Sequence, residues 1–233
     1  MTAPSASRLS SRRASRPALL GLLAVIASAG LVACAAPAPA PAPPEGDGPI
    51  VAFYGDSYTL GTGATDDSVR WSTVISEERG WREYNPSVNG LGYLRNRSTF
   101  GDGDLPDLII EQSPDIVFVT MGLNDNFGYE QEGERIAQQM NDDIDRLVEA
   151  LPEARFIVVE PFWYTDERPE SVEVIIGWQR AMAERIGADY IAGASRWIEG
   201  RPELMASDGL HPNDDGYAVM AERMRAELEA LGL

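Results

Sequence analysis

The sequence predicts an α/β fold, a three-layer α/β/α sandwich around a mostly parallel central sheet, and three observations carry that prediction. Short runs at residues 50–54, 115–121, 155–160 and 189–192 are mostly apolar and β-branched or aromatic, which suits strands buried on both faces of a parallel sheet. Between them the apolar residues step by three and four, the period of a helix. The two patterns alternate along the chain, as they do where right-handed crossovers cover both faces of one sheet.

The elements follow in chain order. Residues 1–33 read as a signal peptide: Arg8, Arg12, Arg13 and Arg16 precede an apolar stretch at 18–33, which is shorter than the ~20 residues of a membrane-spanning helix. The stretch ends in Leu31-Val32-Ala33-Cys34 and resembles a bacterial lipoprotein signal, which implies cleavage before Cys34 and lipidation of its thiol. Cys34 is the only cysteine, so no intramolecular disulfide can form. Residues 34–48 read as a linker in which alanine and proline alternate, an extended spacer rising ~3.1 Å per residue.

Residues 49–233 form the remaining domain, about the size for one hydrophobic core. After the strand at 50–54, a weaker strand candidate lies at 84–88. The stripe Ile136, Met140, Ile144, Leu147 and Leu151 marks one helix, and Ile175, Trp178, Met182 and Ile186 a second. Tyr217, Met220, Met224 and Leu228 mark a third, with Pro212 suited to its first turn. These stripes are core rather than cofactor contacts.

Composition excludes some functions. Asp and Glu number 37 against 19 Lys and Arg, a net charge of −18, and four of those arginines lie in the signal segment. So acidic a domain repels phosphate backbones, which argues against a nucleic-acid partner. One histidine, with the sole cysteine outside the domain, leaves no metal-ligating cluster, and no phosphate-cradling glycine motif is present.

In open parallel sheets the ligand crevice lies beyond the carboxyl ends of the strands. Gly55-Asp56-Ser57 follows the first strand, Asn89-Gly90-Leu91-Gly92-Tyr93 the weak one, and Gly122-Leu123-Asn124-Asp125 the strand at 115–121. Asp208-Gly209-Leu210-His211-Pro212 precedes the last helix. In order and spacing these segments resemble the four sequence blocks of the SGNH (GDSL-type) hydrolases, over almost the whole domain. The resemblance implies a flavodoxin-like sheet and hydrolysis of lipid, sugar or related esters through a covalent acyl-enzyme, without metal or cofactor. It implies Ser57 as nucleophile, His211 as base and Asp208 as its orienting carboxylate. The amides of Ser57 and Gly90 and the Asn124 side chain would form the oxyanion hole, although Gly92 fits the second block as well as Gly90. Tyr58 departs from the leucine of the family's GDSL name.

The residue chemistry agrees. A serine hydroxyl needs a base that titrates near neutrality, and His211 is the only histidine. A glycine ahead of Ser57 lets the strand turn sharply, and a helix start presents the Ser57 amide to a carbonyl oxygen. Each segment alone could be an ordinary turn or cap; their joint order favours a site. Phe127, Tyr129, Phe162, Trp163 and Tyr164 lie in loops at the same edge and are candidates to line a substrate pocket. The reading is a serine esterase acting on an O-acyl carbohydrate or a small or lipid ester, exported and anchored at the cell surface through Cys34. Two rivals are an acyltransferase using the same site and a non-catalytic lipoprotein that binds glycan or lipid.

The lipoprotein reading has a direct check. In a bacterium with lipoprotein-processing machinery the chain is expected in the membrane fraction, and Cys34→Ser is expected to lose the acyl group and the anchoring. A wild-type protein found wholly soluble, with an unmodified Cys34 by mass spectrometry, contradicts it.

Overall fold

The computed structural model describes residues 41–100 and 103–233. The signal segment and Cys34 lie outside the described residues, and the described part of the linker, residues 41–48, contains neither helix nor strand.

Five strands, β1 (Ile50–Tyr54), β2 (Arg82–Tyr84), β3 (Ile116–Val119), β4 (Arg155–Val159) and β5 (Asp189–Ile191), form one sheet in the order β2-β1-β3-β4-β5. Every pairing is parallel. This is the flavodoxin-like order, whose topological switch lies between β1 and β3. The helices are α1 (Ser57–Leu60), α2 (Trp71–Arg79), α3 (Leu105–Gln112), α4 (Tyr129–Ala150), α5 (Glu170–Ile186) and α6 (Asp214–Ala230).

Alternate strand residues serve opposite faces. Val51, Phe53, Phe118, Ile157 and Val159 pack with Trp71 and Ile75 of α2 and with Met220, Met224 and Leu228 of α6. Ala52, Tyr54, Val117, Val119 and Val158 pack with Ile109 of α3, Met140, Ile144 and Leu147 of α4, and Met182 of α5. The predicted helical stripes are thus core. On the first face Phe53 stacks on Phe118 at 5.1 Å and meets Trp71 edge-on at 5.4 Å, an aromatic floor beneath the end of β1.

Two expectations are corrected. The strand near 84–88 ends at Tyr84, because Asn85 turns inward and its amide donates to the Thr59 carbonyl at 2.7 Å and to Ser72 Oγ at 3.0 Å, while Pro86 has no N–H to donate to a ladder. Pro212 lies outside the last helix. Asn213 caps α6 by accepting from the Gly216 amide, and Pro212 instead forms an antiparallel bridge with Met205.

The other face carries a buried ionic network. Asp143 of α4 accepts from Tyr54 Oη at 2.6 Å, from both terminal nitrogens of Arg97 at 2.6 and 2.7 Å, and from Gln139 at 3.0 Å. Arg97 also donates to the Tyr93 carbonyl at 3.1 Å and to Asp104, so it ties the segment that follows Asn89-Gly90 to the body. Removing one partner of such a network strands the others in a poorly solvated place. Asp143→Ala is expected to cost about 3–5 kcal/mol, seen as a lower urea midpoint at unchanged slope. A loss below ~1 kcal/mol would mean that water replaces the carboxylate.

Candidate active site

Ser57 is the first residue of α1. Asp56 caps that helix, its side chain accepting from the Tyr58 amide at 3.0 Å and its carbonyl from the amides of Thr59 and Leu60. The Ser57 amide is left without a partner among the described residues. Gly55 is required for packing rather than for a special turn, since its φ is not in the left-handed region. A Cβ there would come within 2.5 Å of Thr120 Oγ1 and 2.6 Å of Thr59 Cβ. The missing side chain lets α1 sit against the loop after β3.

Asp208 and His211 occupy the loop before α6. Asp208 Oδ1 accepts from the amides of Leu210 and His211 at 2.9 and 3.0 Å, and Oδ2 pairs with His211 Nδ1 at 2.7 Å. The His211 amide, followed by its ring, holds the Asp208 carboxyl down at about 2, so the carboxylate is charged at neutral pH and favours a proton on Nδ1. Nε2 then carries the lone pair. The loop reaches the Ser57 helix through Tyr58, whose hydroxyl donates to the Leu210 carbonyl and whose ring lies 6.0 Å from that of His211. Among the described residues no hydrogen bond joins the Ser57 hydroxyl to His211.

Asn124 begins the turn Asn124–Gly128 after β3. Its Nδ2 donates to the Leu91 carbonyl at 2.9 Å and more weakly to Asp56 Oδ2 at 3.4 Å, which links three of the four blocks through one amide. Asp125 accepts from three successive amides, Tyr93 at 2.7 Å, Leu94 at 3.0 Å and Arg95 at 3.3 Å. That grip accounts for Gly92, where a Cβ would lie 2.5 Å from both Asp125 oxygens. The Gly92 amide is already committed to the Arg95 carbonyl at 3.0 Å, whereas that of Gly90 has no partner among the described residues. Of the two glycines left open by the sequence, Gly90 is the one with an amide to offer.

Unlike that of Asp208, the carboxylates of Asp56 and Asp125 are buried. Burial pushes the Asp56 carboxyl up to about 7, with the Tyr58 amide opposing and the Asp125 charge adding to the rise. Burial likewise raises Asp125, against the pull of the Leu94, Tyr93 and Arg95 amides.

The five aromatic candidates do not share one pocket. Phe127, Trp163 and Tyr164 line a cleft of about 540 Å³ with Asn126, Thr165 and Arg168, and the Phe127 ring is 49% exposed, with the Arg95 guanidinium 5.7 Å above it. Phe162 belongs to the core instead, stacked on Tyr58 at 6.0 Å and packed against Trp71. Tyr129 opens α4 and packs on Trp178 of α5 at 5.8 Å, facing a different cleft. Asp56 and Asp125 carry no role in the sequence reading, and Tyr58 figures there only as a departure from leucine. The signal available was their place beside Ser57 and Asn124, since a buried carboxylate at a motif position must have partners.

Comparison with known proteins agrees with the geometry. The model of the GDSL-like Lipase/Acylhydrolase family matches residues 53–219. The GDSL lipase Rv0518 of Mycobacterium tuberculosis is 29% identical over 186 residues, covering 75% of this chain and 79% of its own. Among solved structures, the psychrotrophic esterase EstA of a Pseudoalteromonas species is 16% identical, covering 78% of this chain and 97% of its own at a TM-score of 0.60. TesA is 18% identical, covering 78% and 99% at 0.63. A family two carbohydrate esterase of Clostridium thermocellum, solved with cellohexaose, is 15% identical, covering 82% and 66% at 0.62.

The Asp56 environment predicts a pH effect on stability. An Asp in the unfolded chain ionises near ~3.9, so between there and about 7 the native state keeps a proton that the unfolded state has lost. This part of the stability is present at low pH and falls away as pH rises. Relative to Asp56→Asn, whose side chain stays neutral, the wild type should lose a few kcal/mol between pH ~4.5 and ~7.5 in urea unfolding. Parallel pH curves for the two proteins would show that Asp56 ionises as an ordinary carboxylate.

Proposed function

Since the chain belongs to the GDSL-like lipase/acylhydrolase family, an SGNH-type hydrolase of esters, we propose that it is an exported serine esterase working through an acyl-enzyme on Ser57. The observation that carries this reading is the Asp208–His211 pair at 2.7 Å, held beside the Ser57 helix by Tyr58.

The steps follow from the residues. His211 Nε2 takes the hydroxyl proton as Ser57 Oγ attacks the ester carbonyl, and Asp208 stabilises the imidazolium that forms. The carbonyl oxygen becomes an oxyanion, accepted by the free amides of Ser57 and Gly90 and by Asn124 Nδ2, which can give up its long bond to Asp56. Collapse breaks the bond to the leaving alkoxy oxygen, and His211 returns the proton to it. Water, deprotonated by His211 in turn, then releases the acid and restores Ser57.

The substrate class that best suits the surroundings is an O-acyl carbohydrate or a small or lipid ester. The cleft lined by half-exposed Phe127 and partly buried Tyr164, with Trp163 buried in the core beside them, offers aromatic faces to a sugar ring or an acyl chain. Anchoring through a lipidated Cys34 would hold the domain at the cell surface, where such esters are met.

A panel of acetylated sugars and p-nitrophenyl esters of several acyl lengths, assayed with and without a sugar acceptor, tests the reading and separates hydrolysis from transfer. Ser57→Ala is expected to take up no fluorophosphonate, and His211→Ala to lose several orders of magnitude in turnover while remaining folded, because no second histidine can substitute. Asn124→Ala is expected to lower kcat by ~10²-fold or more with little change in KM. A folded His211→Ala protein with near wild-type turnover would remove the mechanism.

A further inference from the structure

His211 and Asp208 hold each other firmly, but those bonds fix only the shape of their loop. The Asp208 carboxylate takes the amides of Leu210 and His211, and the Ala206 amide donates to the His211 carbonyl at 2.7 Å. All of these contacts lie within residues 206–211. The Asp208 side chain is half exposed, at 49%, whereas that of His211, at 16%, is largely covered, and the Tyr58 ring stands 6.0 Å from the imidazole. A separate contact must set how far the ring stands from Ser57.

Tyr58 supplies one. It is the next residue after Ser57 in the same short helix and is 1% exposed. Its ring is clamped by a near-parallel stack on Phe162, interplanar angle 13°, and its backbone by the Trp71 indole, which donates to the Tyr58 carbonyl at 3.1 Å. The hydroxyl at the far end of this rigid side chain donates to the carbonyl of Leu210, the residue before His211. Burial, followed by the Asp56 charge, raises the phenol well above its ordinary value, so it remains a donor at every working pH. The leucine of the family's name has no group that could make this bond.

We propose that Tyr58 is a positioning residue: its hydroxyl bond to the Leu210 carbonyl fixes the separation of His211 from Ser57. This rests on the reading that Ser57 and His211 are nucleophile and base. Tyr58 does not touch the reacting atoms and acts only through the His211 loop.

The test uses the full chain with Tyr58→Phe, which keeps the ring and its stack and removes only the donor, and with Tyr58→Leu. Losing one buried neutral hydrogen bond leads us to expect kcat down about tenfold for Tyr58→Phe, with KM within about twofold of wild type, as befits a defect in proton transfer rather than binding. His211 is the sole histidine, so the ring resonances of ¹⁵N-labelled protein belong to one residue. They should be sharp in wild type and exchange-broadened in both variants. Active-site titration with a fluorophosphonate separates this from a structural defect. Positioning predicts a full complement of labelled sites reacting slowly, whereas fewer sites reacting at the wild-type rate would overturn the proposal, as would unchanged ring signals with unchanged kcat. If Ser57→Ala and His211→Ala retain activity, the underlying mechanism fails. If they abolish it while Tyr58→Phe behaves as wild type, only the role of Tyr58 fails.

Discussion

Tyr54 pairs with Val119 at the carboxyl ends of β1 and β3, and the Thr120 amide donates to the Tyr54 carbonyl at 3.0 Å. This register decides where the two following loops begin, so it decides whether Asn124 reaches Asp56, the residue before Ser57. Immediately beyond it, Thr59 and Thr120 share a hydrogen bond of 2.6 Å, made possible by the bare backbone of Gly55. A slip of one residue would turn every strand side chain to the opposite face and carry the Asn124 amide away from Leu91 and Asp56. The sheet therefore acts as a gauge for the site, and the aromatic packing of Phe53, Phe118 and Trp71 beneath it resists any shear of that gauge.

On this edge the protein keeps two buried carboxylates, Asp56 and Asp125, within each other's electrostatic reach. Neither has a cationic side chain as its main partner. Backbone amides supply the compensation instead, one from α1 and three from the segment after Gly92. The amides so consumed are positioned by the carboxylates, and those of Ser57 and Gly90 keep no hydrogen-bond partner among the described residues. Organising donors around fixed acceptors is a way of holding an electrostatic site rigid before charge develops in it.

Much of this was legible in the sequence because the signals were local. Four of the five strands are short apolar runs, and Asp208 and His211 are three residues apart. What was not legible depends on distance. β2 was placed two residues late because Asn85 breaks it by bonding to Thr59, 26 residues away. The helices α2 and α3 gave no clear stripe; α2 buries only Trp71, Ser72, Ile75 and Ser76. Phe162 and Tyr129 read as pocket residues because aromatic character and loop position do not tell which way a ring faces. Tyr58 shows in the sequence only as a departure from leucine, since its partner lies 152 residues on.

That separation has a kinetic side. The His211 loop and α6 join the first part of the domain through Tyr58 to Leu210, Thr65 to Asp214, Tyr217 to Thr62 and Arg225 to Glu78, contacts spanning 147 to 155 residues. Contacts of such length carry a loop-closure cost that slows the folding of a domain built on them. The His211 loop is tied to the Ser57 end of the chain by these contacts, so recovery of ester hydrolysis on refolding requires them as well as the sheet. Catalytic competence in this architecture therefore reports the meeting of two ends of the chain about 150 residues apart.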